Sequence, residues 1–287
     1  MSRIAYANGQ YTPITAPVIQ LEDRGYQFAD GVYEVCLVVN NTLWDADGHF
    51  ARLERSLAAL EIDYPVQRGV VETIMREVLR RNRLRSGLVY LQVTRGVASR
   101  NHQFPGPRTP PVLSITAKPY DLASNDRLAQ KGVAAVTVED ILWGRVDIKS
   151  ISLLPNALAK QAAKEAGAFE AILLRDGIVT EGSSTNVWMV TRDGVLRTHP
   201  LGNRILGGIT RHSVLHAAQD AQIPVVEEAF SQEEAQKAAE MFVTSATSLV
   251  MPVVRLDGES IGTGKPGPMA TKLRAAYKTI AAPARAS

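Results

Sequence analysis

Lys149 stands in Asp147-Ile148-Lys149-Ser150, within a short run of β-branched and apolar residues (Val146, Ile148, Ile151, Leu153, Leu154). Glu181 closes a second strand-like run, Ile178-Val179-Thr180, and is followed by Gly182 and three hydroxyl residues, Ser183, Ser184 and Thr185. An amine that has lost part of its hydration is available in its neutral, nucleophilic form and can attack a carbonyl to give a Schiff base. A fixed carboxylate can keep a pyridine nitrogen protonated, and the protonated ring then accepts the electrons released when a Cα–H bond breaks. These are the two protein groups that chemistry on pyridoxal 5'-phosphate requires.

Three further clusters suit such a site. A phosphate needs amide donors and a cation. Gly207-Gly208-Ile209-Thr210-Arg211 runs a glycine pair into a helix start, where free N–H groups and the helix dipole favour an anion. Thr244-Ser245-Ala246-Thr247-Ser248 follows a strand and offers hydroxyls and amides, and Arg52 supplies a charge from the helix that carries Phe50 and Leu57. Arg100 and His102 lie in the loop after strand 88–94. In extended backbone they point the same way, so a guanidinium fork and an imidazole could clamp a carboxylate together.

The elements that must hold these residues read as a mixture of strands and helices, which points to an α+β (mixed α/β) fold. Val35–Val39 is strand-like and ends at the turn Asn40-Asn41. Phe50, Leu53, Leu57 and Leu60 mark one amphipathic helix, and Val71, Ile74, Met75, Val78 and Leu79 a second, with Gly87 ending that stretch. Val89, Leu91 and Val93 alternate with polar neighbours as a half-buried strand, a loop with four prolines follows, and Val112–Thr116 is the next strand. Lys118–Asp121 with Ala123–Asp126 reads as a linker, so the boundary is placed between an N-terminal part, 1–120, and a C-terminal part, 121–287. Beyond it come strand 132–138, the lysine segment, an alanine-rich helix after Pro155 ending at Gly167, and strands at 170–174, 178–181 and 187–190 with turns at Asp176-Gly177 and Asp193-Gly194. A helix from Ile209-Thr210, a capping box at Ser231 and Glu234, a short strand at Phe242-Val243 and a helix over 269–280 complete the reading.

Composition narrows the function. The 287 residues are 45% hydrophobic and 21% charged, ordinary for a chain that buries a core. A net charge of +3 is too mild to imply nucleic acid, and the cluster Arg76, Arg80, Arg81, Arg83 and Arg85, with no aromatics among it, reads as a solvated helix face. The lone Cys36 excludes an internal disulfide, fits a reducing cytoplasm and reads as a buried structural thiol. Met1-Ser2-Arg3-Ile4 lacks the apolar core of a signal peptide, and no apolar run approaches the ~20 residues of a membrane helix. Only the tail Ala281–Ser287 is of low complexity.

The chain resembles the fold-type IV pyridoxal-phosphate enzymes, and among them the D-amino acid aminotransferases, over nearly its full length. The blocks that carry the resemblance are Asp23-Arg24-Gly25-Tyr26-Gln27-Phe28-Ala29-Asp30-Gly31-Val32-Tyr33-Glu34-Val35, Gln92–Pro105, Asp147–Leu154, Val179–Val187 and Gly208–Arg211. The resemblance implies a smaller N-terminal α/β domain, a larger C-terminal domain with a barrel-like sheet, a cytoplasmic homodimer, and ping-pong transamination between a D-amino acid and a 2-oxo acid, with no metal. It makes Lys149 the Schiff-base lysine and Glu181 the partner of the pyridine nitrogen. Arg52, Ile209, Thr210 and Ser245 match the phosphate cup, Ala246 stands where the family usually has a threonine, and Leu206 matches a residue that supports the ring. Tyr33, Arg100 and His102 match the trap for the substrate α-carboxylate. Ser184 falls where it would line the site, and Arg145 where it would orient Tyr33 or the ring hydroxyl. The same lysine and glutamate also occur in branched-chain L-amino acid aminotransferases, aminodeoxychorismate lyases and R-amine transaminases; the Arg100–His102 pair favours the D-amino acid reading.

Overall fold

A computed structural model of the chain describes residues 3–282, so the tail from 283 onward lies outside the described residues. The chain divides into two compact units, Met1–Asp121 with Ile148–Ser152, and Leu122–Asp147 with Leu153–Ser287.

The first unit runs β1 (Ile4–Ala7), β2 (Gln10–Pro13), α1 (Arg24–Phe28), β3 (Gly31–Val39), β4 (Thr42–Leu43), α2 (Ala46–Ala59), α3 (Arg68–Arg81), β5 (Gly87–Thr94) and β6 (Val112–Pro119). Its strands form an antiparallel sheet in the order β2-β1-β6-β5-β3-β4. Alternation along β3 sends Val32, Cys36 and Val38 into one cluster with Leu53 and Leu57 of α2 and Ile74, Met75 and Val78 of α3. Tyr33 therefore lies on the opposite face, with Tyr90 and Gln92 of β5. Asn40 and Asn41 take the two positive-φ positions that a tight hairpin turn requires. Arg76, Arg80 and Arg81 are exposed and paired with Glu72 and Glu77 along α3, a solvated helix face as the sequence implies. Helix α3 stops at Arg81, where Asn82 caps it and Arg83 takes a left-handed conformation, so Gly87 begins a strand rather than ending the helical stretch.

The second unit runs α4 (Leu122–Lys131), β7 (Val133–Glu139), α5 (Leu154–Glu165), β8 (Glu170–Arg175), β9 (Ile178–Gly182), β10 (Asn186–Val190), β11 (Leu196–Thr198), α6 (Ile209–Asp220), β12 (Val225–Glu227), α7 (Gln232–Gln236), β13 (Glu240–Ser245), β14 (Leu249–Leu256), β15 (Glu259–Ser260) and α8 (Pro268–Ala281). Its mixed sheet follows the order β12-β11-β10-β13-β14-β7-β8-β9, with β15 on β14. Strands β9 and β10 are five steps apart in that order, roughly 24 Å in a flat sheet. Only Ser183–Thr185 join them, a link that spans at most about 14 Å. The sheet must curl, giving the barrel-like form expected from the resemblance.

The polar stretch Ala123–Asp126, expected as linker, is helical. Asn125 and Asp126 accept hydrogen bonds from Arg274 of α8 at 2.6 and 2.8 Å, and Lys278 reaches Asp126 at 2.7 Å, so its polar face is used for tertiary pairing rather than solvation. Strand β14 was not anticipated because Pro252 interrupts its apolar run. Its pairing with β7 begins only at Val253, so the missing N–H breaks no bond on that side. The capping box at Ser231 and Glu234 is present, on a helix of five residues.

Candidate active site

In the first unit the lysine segment lies along the start of β3. Ser150 forms an antiparallel bridge with Val32, Tyr33 N donates to Lys149 O at 3.0 Å and Ile151 N to Gly31 O at 3.1 Å. That backbone pairing is why Ile148–Ser152 groups with the first unit, although the sequence boundary assigns it to the second part. The register sets Lys149 opposite Tyr33, and opposed residues in an antiparallel pair share a face. The half-buried Lys149 Nζ accordingly stands 4.2 Å from the centre of the Tyr33 ring. Tyr33 stacks on Tyr90 at 5.5 Å, and Tyr90 donates to Gln92 Oε1 at 2.7 Å. Burial, reinforced by Tyr33, pushes the Tyr90 phenol up to about 12, so it stays a neutral donor.

Arg52 is buried, and its fork grips Glu34: Nε to Oε1 at 2.7 Å and Nη2 to Oε2 at 2.7 Å. His49 Nδ1 lies 2.7 Å from the same Oε2. One turn beyond Arg52 on α2, Ser56 Oγ accepts from Lys149 N at 3.3 Å. Burial pushes the Glu34 carboxyl up, but the Arg52 charge and the hydrogen bonds from Arg52 and His49 overcome it and hold the group at about 2. Sequence reasoning missed Glu34 and His49. The available signal was an acid on the same strand face as Val32, Cys36 and Val38.

Arg100 and His102 sit exposed in the loop after β5. Both pack on Phe28, the guanidinium 4.7 Å from the ring centre and the imidazole centre 5.4 Å away.

In the second unit Glu181 lies in a bulge. Between the pairs Ile172↔Gly182 and Leu174↔Val179 the register slips by one, so Thr180 and Glu181 together oppose Leu173. Bulges re-aim side chains, and this one is pinned on both sides by buried acids. Thr180 Oγ1 donates to Asp140 Oδ2 at 2.9 Å, and Arg175 pairs with Asp140 at 3.0 Å. Beyond the bulge, Ser183 and Thr185 donate to the fully buried Glu170, Thr185 at 3.1 Å, and Ser184 reaches it at 3.4 Å. The three hydroxyls after Glu181 thus fix the β9–β10 link. Asn156 of α5 holds the same link through Ser183 O at 2.9 Å.

Buried Glu181 accepts from Leu206 N at 2.8 Å, and Leu206 O accepts from Asn186 Nδ2 at 2.8 Å. Gly208 caps α6 with no side-chain hydrogen bond to the first amides. A Cβ at Gly208 would overlap Asn186 Oδ1, so any larger residue here would require the Asn186 side chain to shift. Thr210 is buried, its hydroxyl 3.4 Å from the Tyr277 hydroxyl. Asn186 pairs in register with Thr244, and Ser245 Oγ next to it accepts from Ser248 N at 3.0 Å. Glu181, Leu206, the α6 start and Ser245 are thereby brought together within one unit. Arg145 places its fork on Asp147 at 2.9 Å.

Residues 31–256 match the family described as class IV amino-transferases. The chain belongs to that family. It is 43% identical to the D-alanine aminotransferase of Bacillus licheniformis over 94% of each chain, and 41% identical to that of Staphylococcus haemolyticus over 95% of each. Among solved structures, a branched-chain amino acid aminotransferase of T.th. with pyridoxamine 5'-phosphate is similar at TM-score 0.86 and 26% identity, over 98% of this chain and 95% of that one. Class IV aminotransferases work with pyridoxal phosphate, and each unit taken by itself carries residues that fit it: in the first a half-buried lysine and a buried guanidinium, and in the second a carboxylate whose direction is fixed by a bulge and an amide, and a helix start whose amides no side chain caps.

The lowered Glu34 carboxyl gives a signed expectation. A group held below its ordinary value of 4.5 adds stability above that value and loses it as the pH falls towards about 2. Urea midpoints for the parent and Glu34→Gln should differ most near neutral pH and converge through that acid window. A gap that did not change with pH would contradict the pairing.

Proposed function

We propose that this aminotransferase exchanges the amino group of a D-amino acid such as D-alanine with a 2-oxo acid such as 2-oxoglutarate. The observation that carries the reading is the 43% identity to a D-alanine aminotransferase across nearly all of both chains. When bound, pyridoxal phosphate supplies the electron sink for breaking the substrate Cα–H bond. In this reading Lys149 Nζ would hold the cofactor covalently and, when its amine is free, would be the base that moves the substrate Cα proton; its place on the Tyr33 ring supports a preset direction. Glu181 holds the ring-nitrogen proton, and the bond from Leu206 N supports its fixed aim. Arg52, Ile209, Thr210 and Ser245 take the phosphate, Ala246 contributes its backbone alone, and Leu206 supports the ring. Tyr33, Arg100 and His102 take the substrate carboxylate and so select the enantiomer that presents its Cα–H to Lys149.

The same reading makes the enzyme a cytoplasmic homodimer. Exposed Ile19, Leu21 and Tyr26 in one stretch supply apolar surface for a second copy to cover. The lone, buried Cys36 suits a reducing compartment, and among the described residues no helix is long and apolar enough to cross a membrane. The likeness to a branched-chain amino acid aminotransferase favours one second reading, an L-amino acid substrate.

A coupled assay separates them. Cofactor-loaded protein should release pyruvate from D-alanine beyond one equivalent only when 2-oxoglutarate is present, and should ignore L-leucine. Turnover of L-leucine without D-alanine would establish the second reading. Glu181→Gln should lower kcat by about a hundredfold, the scale of one lost electrostatic stabiliser, while cofactor absorption is largely kept.

A further inference from the structure

The block Asp23-Arg24-Gly25-Tyr26-Gln27-Phe28-Ala29-Asp30 supplies no cofactor or substrate ligand in the assignments above, yet it is built around one buried guanidinium. Arg24 is 3% exposed. Its Nε donates to Asp30 Oδ2 at 2.7 Å, and its Nη1 donates to Asn101 O at 2.6 Å and Gln103 O at 3.3 Å. One side chain therefore holds the carbonyls on both sides of His102. Asp30 Oδ2 also accepts from Arg95 Nε at 2.8 Å, so a single carboxylate fixes two arginines at the root of the loop. The Arg24 guanidinium stands 4.8 Å from the Phe28 ring centre, and that same ring carries Arg100 and His102.

The rest of the block serves this arrangement. Asp23 caps α1 through Gly25 N at 2.8 Å and accepts from Thr94 Oγ1 at 3.0 Å. A Cβ at Gly25 would overlap the Thr94 side chain, so the glycine is what allows α1 to lie against the end of β5. The long loop after β5 holds little regular structure. Left unpinned, it would have to be ordered by the substrate, at an entropic cost to binding.

We propose that Arg24, with Phe28 and Asp30, is a positioning residue that presets Arg100 and His102 for the substrate carboxylate. The proposal rests on the reading of those two residues as carboxylate binders.

Steady-state kinetics of holoenzyme carrying Arg24→Lys or Phe28→Leu test it. Lysine keeps a charge beside Asp30 but has no fork to span two carbonyls, and leucine removes the ring without burying a charge. Each variant should keep its cofactor absorption and a kcat within about twofold, while KM for D-alanine and for 2-oxoglutarate rises about tenfold. In a background lacking both side chains, Arg100→Ala with His102→Ala, Arg24→Lys should add less than about a further twofold, because it acts through the residues already removed. Unchanged KM in both variants, or an equal added loss in that background, overturns the proposal. An Arg100→Ala enzyme with the parent KM would sink the carboxylate reading itself, and the proposal with it.

Discussion

A short antiparallel pairing between two remote pieces of chain sets the direction of Lys149. Tyr33 N bonds Lys149 O, Ile151 N bonds Gly31 O, and Ser150 bridges Val32. Because strand side chains alternate with period two, this register alone decides where the lysine points: Lys149 shares a face with Tyr33, while Ile148 goes into the core with Val32 and Cys36. A slip of one residue would bury the amine among valines and leucines and turn the isoleucine outward. The apolar residues around Lys149 in the sequence are thus what keeps the amine on the right face, rather than a pocket made by its immediate neighbours.

Charge is handled by the same economy of pairing. Glu34, Asp140 and Glu170 are acids in apolar surroundings, and each receives several donors: Arg52 and His49, Thr180 and Arg175, and the hydroxyls of residues 183–185 with Lys160 at 3.2 Å. A buried carboxylate left without donors would be very costly. Once satisfied it is rigid, and each of the three sits next to a residue with an assigned role. Glu34 holds Arg52, while Asp140 and Glu170 flank the bulge that aims Glu181. Rigid support is what a site needs when catalysis depends on placing charge before the reaction begins.

How legible this was depended on whether a signal was local. Helices α2, α3 and α8 follow from apolar spacing, the turns at Asn40-Asn41 and Asp176-Gly177 from residues tolerant of positive φ, and α6 from its glycine start. Lys149, Glu181 and the α6 start stand out because their types and contexts belong to recognisable chemistry. What stayed hidden depends on partners far away in sequence. Helix α4 looks like linker until Arg274 and Lys278 are seen to take its polar face. Strand β14 looks broken at Pro252 until its register with β7 is known. Nothing near Glu170 in sequence announces that it will collect hydroxyls from residues 183–185, and nothing near Arg24 says that it will hold carbonyls at 101 and 103. Residue chemistry offered Arg52 and Ser245 to a phosphate and the family resemblance matched them to the same role; the pairing of Arg52 with Glu34 came only from the fold.

Every proposed role in the site follows from Lys149 as the covalent anchor of the cofactor. The most direct test is to load the protein with pyridoxal phosphate, reduce it with borohydride, digest it and locate the trapped pyridoxyl group by mass spectrometry. The label is expected on Lys149 and is expected to be lost in Lys149→Ala. A label on another lysine such as Lys160, or none from protein that retains the cofactor's absorption, would contradict it.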